Sequence, residues 1–311
     1  MPLSLQRPSF SFVALLTLAV ASVQAQPQGG ANQPEFIRTG QQLMRAGKFD
    51  EALTLYRTEI EKSSQSVAAQ NAAGTALDLM GRTTDARVHF AKAIEIATTP
   101  QAKTAARRAM AMSYAFDSDC ANTWKYLEQV FDYWVGVGDF YQQGEMLNEA
   151  ARVCIEAGAY DQAEKLYRRG TELGVKEPNI KPDRVSLWKF RLEHALARLA
   201  ARRGQKAEAT QHVAAAKKIL DSDPEMAKAQ TIYFPYLTGY VALYTGDYAT
   251  ALTELAKANQ NDAFIQCLIG MAHEKSGDKA KAAEFYRKAA GVVGHNPPAA
   301  YARWYTRNRL F

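Results

Sequence analysis

GKFDEAL at 47–53, GRTTDAR at 81–87, GAYDQAE at 158–164, GQKAEAT at 204–210, GDYATAL at 246–252 and GDKAKAA at 277–283 are six copies of one pattern. In each, a glycine is followed five residues later by alanine: Gly47 and Ala52, Gly81 and Ala86, Gly158 and Ala163, Gly204 and Ala209, Gly246 and Ala251, Gly277 and Ala282. Seven residues before each glycine sits a small residue: Gly40, Gly74, Ala151, Ala197, Gly239 and Gly270. Four residues after each alanine sits a larger apolar one: Tyr56, Phe90, Tyr167, Val213, Leu255 and Tyr286. Three anchors recurring together six times define an internal repeat.

The physical chemistry of these anchors is that of a helical hairpin. A glycine ends the first helix because a left-handed backbone costs it nothing. Asp50, Asp85 or Asp161 then sits where the positive end of the second helix favours an acid. The small residue and the alanine let two helix backbones approach. The larger residue shares a face with the alanine and is expected to fill the layer between neighbouring hairpins.

The pattern resembles the tetratricopeptide repeat, whose period is 34 residues. Gly40 to Gly74 is one such period, and the later intervals between anchor alanines are 77, 46, 42 and 31. The 77 leaves room for a degenerate copy with helical spacing (Ala106, Met110, Tyr114, then Trp124, Leu127, Phe131) and a turn at Asp117, Ser118 and Asp119. The longer intervals imply breaks at 177–183 and 221–224. The expected fold is all-α: a right-handed α-solenoid of about seven hairpins, over about 35–66, 67–100, 101–137, 138–176, 184–222, 225–260 and 261–296. Residues 297–311, with Tyr301, Trp304 and Tyr305 at helical spacing, are expected to form a helix that caps the last apolar layer.

Residues 1–25 read as a secretory signal peptide: Arg7, an apolar stretch from Phe12 to Val20, then Val23-Gln24-Ala25 as a cleavage site. Export to the periplasm or outside the cell is expected, with loss of Arg7 taking the formal charge from +6 to +5. Residues 26–34 (QPQGGANQP) read as a flexible linker. No other stretch is apolar enough to expect a transmembrane segment in the mature chain. The three cysteines, Cys120, Cys154 and Cys267, form no CxxC pair, and Cys154 falls in an apolar helical run. Buried free thiols are the expectation, with one disulfide as the alternative.

No catalytic signature accompanies this pattern. The five histidines, His89, His194, His212, His273 and His295, make no HExxH helix, and no phosphate loop, dinucleotide turn or nucleophile elbow is present. The chain is therefore expected not to be an enzyme and to hold no metal or cofactor. Basic residues are spread along helices among alanines, so no nucleic acid is expected as a partner.

The resemblance implies a concave groove lined by first helices, with contacts at the second, fifth, ninth and twelfth positions of each repeat. Here those positions include Arg191, His194 and Arg198 in one repeat, Tyr233, Tyr236 and Tyr240 in the next, and Met271 in the last. They are the candidate groove residues for a protein or peptide segment, since Tyr and Arg bury large area while keeping polar ends. Packing of the tyrosines between helices is the competing reading. The paired Lys and Asn with which some relatives hold a peptide's terminal carboxylate are absent, Ile37, Gln41, Asn71 and Thr75 standing there instead. The function expected is a non-catalytic scaffold in a cell-envelope assembly; the alternative is a carrier of a glycan or small ligand in the Tyr/Arg groove.

Overall fold

The computed structural model describes residues 33–307, 309 and 310, so the expected signal peptide and nearly all of the linker lie outside the described residues. Seven antiparallel hairpins follow one another: α1 (Glu35–Arg45) with α2 (Phe49–Lys62), α3 (Val67–Leu79) with α4 (Thr83–Ile96), α5 (Pro100–Ala115) with α6 (Cys120–Val137), and α7 (Phe140–Glu156) with α8 (Tyr160–Gly174). Then come α9 (Pro182–Arg202) with α10 (Lys206–Ser222), a short α11 (Pro224–Gln230) and a 3-10 turn (Thr231–Tyr233). α12 (Phe234–Tyr244) with α13 (Tyr248–Leu255), α14 (Ala263–Lys275) with α15 (Lys279–Gly291), and a single α16 (Pro297–Thr306) complete the chain. The fold is an all-helical solenoid, with no strand among the described residues.

The turn chemistry explains the regular hairpins. Gly47 takes φ 75°, and the N–H of Lys48 returns to the carbonyl of Leu43 at 2.9 Å, closing the end of α1. The degenerate third hairpin achieves the same reversal with Ser118 at φ 57°, while Asp119 accepts the Asn122 N–H at 2.9 Å and caps α6. The long α9 and the inserted α11 with its 3-10 turn account for the stretched spacing around hairpins 5 and 6.

Packing refines the role of the recurring large residue. A Cβ placed on Gly40 would lie 2.1 Å from the Tyr56 hydroxyl, and one on Gly74 would lie 2.7 Å from the Phe90 ring. The large side chain thus sits on the small residue of its own hairpin, rather than only between hairpins. Side chains so placed are fully buried, as at Tyr56, Phe90 and Leu255.

The cysteines correct the expectation of free thiols. Cys120 and Cys154 form a disulfide. In a solenoid, the start of one second helix and the end of the next first helix lie on the same, turn-bearing side. Cys120 opens α6 and Cys154 lies near the end of α7, so two residues that share no local motif meet there. Cys267 alone is free, and its burial in α14 pushes the thiol pKa up.

Candidate functional site

The first helices of the hairpins form the inner face, and in the middle of the molecule their side chains reach one another. Glu145 on α7 forms a bidentate pair with Arg191 on α9, one contact at 3.0 Å. Glu156, eleven residues further along α7, accepts Arg202 at 2.6 Å through one oxygen and the Tyr240 hydroxyl at 2.8 Å through the other. Arg198 donates to the hydroxyls of Tyr167 and Tyr236, each at 3.0 Å. One hairpin earlier, Arg108 on α5 donates to the buried carboxylate of Glu149 at 2.9 Å. Buried carboxylates of this kind are tolerable because each is paired and hydrogen-bonded.

These contacts decide where the candidate groove residues stand. Tyr240 is 0% exposed, Arg198 5%, Met271 6% and His194 8%. Arg191 and Tyr236 are half-buried, and Tyr233 lies half-buried on the 3-10 turn. The structure brings His194, Arg198, Tyr236 and Tyr240 into one network, with the His194 and Tyr236 rings 5.1 Å apart. Met271 is separate from it, covered by Tyr301 of α16. The competing reading, tyrosines packed between helices, describes Tyr240. Tyr240, at 0% exposure, offers no face for a sugar to stack upon. Burial, and then the charges of Arg198 and Arg152, hold the His194 ring well below its ordinary pKa.

The inner face of the earlier hairpins is occupied by the chain's own C-terminal segment. α16 packs against α5 and α7 as well as α14 and α15. Ala300 joins the apolar cluster of Phe90, Met110, Phe116 and Val153. Just before α16, His295 places Nε2 2.8 Å from Asp78 on α3, with its ring stacked on Phe116 at 5.4 Å. Ser113 on α5 donates to the other Asp78 oxygen at 2.8 Å. Arg303 donates to the Leu79 carbonyl at 2.7 Å, and Arg307 pairs with Asp117 at 3.2 Å. Burial without a carboxylate partner lowers the Arg303 pKa to about 10. The expected capping role of this segment is thereby extended: besides covering the last hairpin, α16 bridges back to hairpins 2, 3 and 4.

Residues 37–103 and 236–303 match the tetratricopeptide repeat family. Those two segments, covering hairpins 1–2 and 6–7, carry tetratricopeptide-type repeats. Proteins built from these repeats generally mediate protein–protein interaction, and the fold is typically a non-catalytic scaffold. Among solved structures, nearly identical TPR-like repeats from Podosopora anserina are similar at 17% identity, over 59% of this chain and 92% of that one, with a TM-score of 0.48. A tetratricopeptide repeat protein from Parabacteroides merdae is similar at 16% identity, over 88% of this chain and 98% of that one, with a TM-score of 0.49. No curated protein matches the chain.

In this helical solenoid, sequence reasoning missed Glu145, Glu156, Asp78, His295 and Arg303. A signal for two of them was present. Glu145 and Arg191, like Glu156 and Arg202, are 46 residues apart, the interval between the anchor alanines of hairpins 4 and 5. Opposite charges at that spacing occupy the same position on stacked helices. Among the described residues, no helix is long and apolar enough to cross a membrane, and no three His, Cys, Asp or Glu cluster as a metal site.

Proposed function

We propose that the protein is an exported, non-catalytic tetratricopeptide scaffold that binds a protein segment along the inner face of hairpins 1 to 4, within a cell-envelope assembly. The observation that carries this reading is α16: a helical segment already lies against α5 and α7, anchored by Arg303 to Leu79 and preceded by the His295 contact with Asp78. A partner would take that place or extend it toward Ile37, Gln41, Asn71 and Thr75, which remain half-buried on the inner positions of the first two hairpins. Export is supported by the signal-type sequence at 1–25 and by the Cys120–Cys154 disulfide, since such bonds persist in oxidising compartments.

The test is competition for the face. A fluorescent peptide spanning 292–310 is added to the full-length chain and to its Arg303→Ala variant, and anisotropy is followed. Tighter binding to the variant is expected, because the internal segment there competes less well. Absence of binding to both chains would count against the reading.

A further inference from the structure

We propose that a small, half-open cavity holds a binding site for one monovalent anion of halide size, between the half-buried Arg152 on α7 and Arg198 on α9. The space is bounded by Arg152, Glu156, Arg198, Tyr236, Phe264 and the Pro297-Pro298 pair that opens α16, and it has room for about one water-sized particle.

Charge is the first argument. Arg198 is 5% exposed, and its hydrogen-bond partners among the described residues are neutral: the Tyr167 and Tyr236 hydroxyls and the His194 carbonyl. Arg152 makes no hydrogen bond or ion pair among the described residues. The carboxylate at this space, Glu156, has one oxygen on Arg202 and the other on Tyr240. Three guanidinium groups thus face one engaged carboxylate. A buried cation without a counter-charge is costly, and a small anion beside Arg152 and Arg198 removes that cost.

Donor geometry is the second argument. The Tyr236 oxygen accepts from Arg198, which leaves its O–H free to donate into the same space. Phe264, Pro297 and Pro298 form the apolar wall opposite. A site with guanidinium and hydroxyl donors on one side and apolar carbon on the other suits a weakly hydrated single-atom anion. It is too small for sulfate or a bulky sulfonate. The site also joins α7, α9, α12 and α14 to the start of α16, so filling it stabilises the closed solenoid.

The experiment is thermal unfolding of the full-length protein in sodium chloride and in the sodium salt of a bulky sulfonate, at equal ionic strength. Chloride is expected to raise the melting temperature by about 2–4 °C through preferential binding to the folded state. Arg152→Gln is expected to melt at the same temperature in both salts, and circular dichroism verifies that it folds. Equal melting of the wild type in both salts overturns the proposal, as does an undiminished chloride effect in the variant. Crystals grown in bromide give a second reading that does not depend on a variant. An anomalous peak between Arg152 and Arg198 is expected, and its absence overturns the site.

Discussion

His295 Nε2 lies 2.8 Å from the buried carboxylate of Asp78, across 217 residues of sequence. That contact, with Arg303 on the Leu79 carbonyl, ties the C-terminal segment back to the second hairpin of a fold built mainly by stacking of successive hairpins. Burial raises the Asp78 pKa, opposed by the hydrogen bonds from His295 and Ser113. Besides the apolar packing of Ala300, the closure is thus held by a few polar contacts that single substitutions remove.

Arg303→Ala removes a charged donor from a buried carbonyl, a loss of about 1–3 kcal/mol. Hydrogen exchange should show the amides of α16 losing about 10- to 100-fold protection, while those of α9 keep theirs. Unchanged protection in α16 would mean that apolar packing at Ala300 holds the helix alone.

Cys120→Ser should lower stability by about 3–4 kcal/mol, the chain-entropy value for a loop of this length. The melting temperature of the wild type should fall in reductant, and that of the variant should not. If reductant leaves the wild type unaffected, the disulfide contributes little to the fold.

Gly74→Ala places a methyl 2.7 Å from the Phe90 ring, and Gly74 has no room to yield because the ring is fully buried. A cost of about 1–3 kcal/mol follows from overpacking. Phe90→Leu in the same chain should recover part of it, and a double-mutant cycle measures the coupling. Additive costs would show that the two residues do not press on each other.

Acid should weaken the fold through His194. The folded protein holds this ring neutral, whereas the unfolded chain takes up a proton near pH 6.5. Below that pH the unfolded state binds more protons, so stability falls by about 1.4 kcal/mol per pH unit, or about 2 kcal/mol at pH 5. His194→Gln should lose about that much less between pH 7 and pH 5. His89, whose pKa is lowered by burial and then by Arg57, contributes acid sensitivity to both chains alike and cancels in the comparison.

The hairpins were legible because their determinants are local. Gly47 and Ala52 act within one turn and its two helices, and Tyr56 packs on Gly40 of the same hairpin. The third hairpin was harder, since Ser118 does there what glycine does elsewhere. Groove positions assigned one repeat at a time do not show whether neighbouring groove residues touch. Curvature decides whether neighbouring groove residues meet, and curvature is a property of stacked repeats. Glu156 illustrates this, reaching Arg202 on the next hairpin and Tyr240 on the one after. The contact of His295 with Asp78 left no periodic trace, because a chain end returning to the second hairpin follows no repeat.

The central claim is that the inner face of hairpins 1 to 4 binds partners in competition with α16. A photo-reactive amino acid placed in living cells at Thr75, on the inner face, is compared with one at Val88, exposed on α4. The account predicts a discrete protein adduct from position 75, strengthened when Arg303→Ala is added, and none from position 88. Adducts from position 88 alone, or an adduct at 75 that Arg303→Ala leaves unchanged, would contradict it.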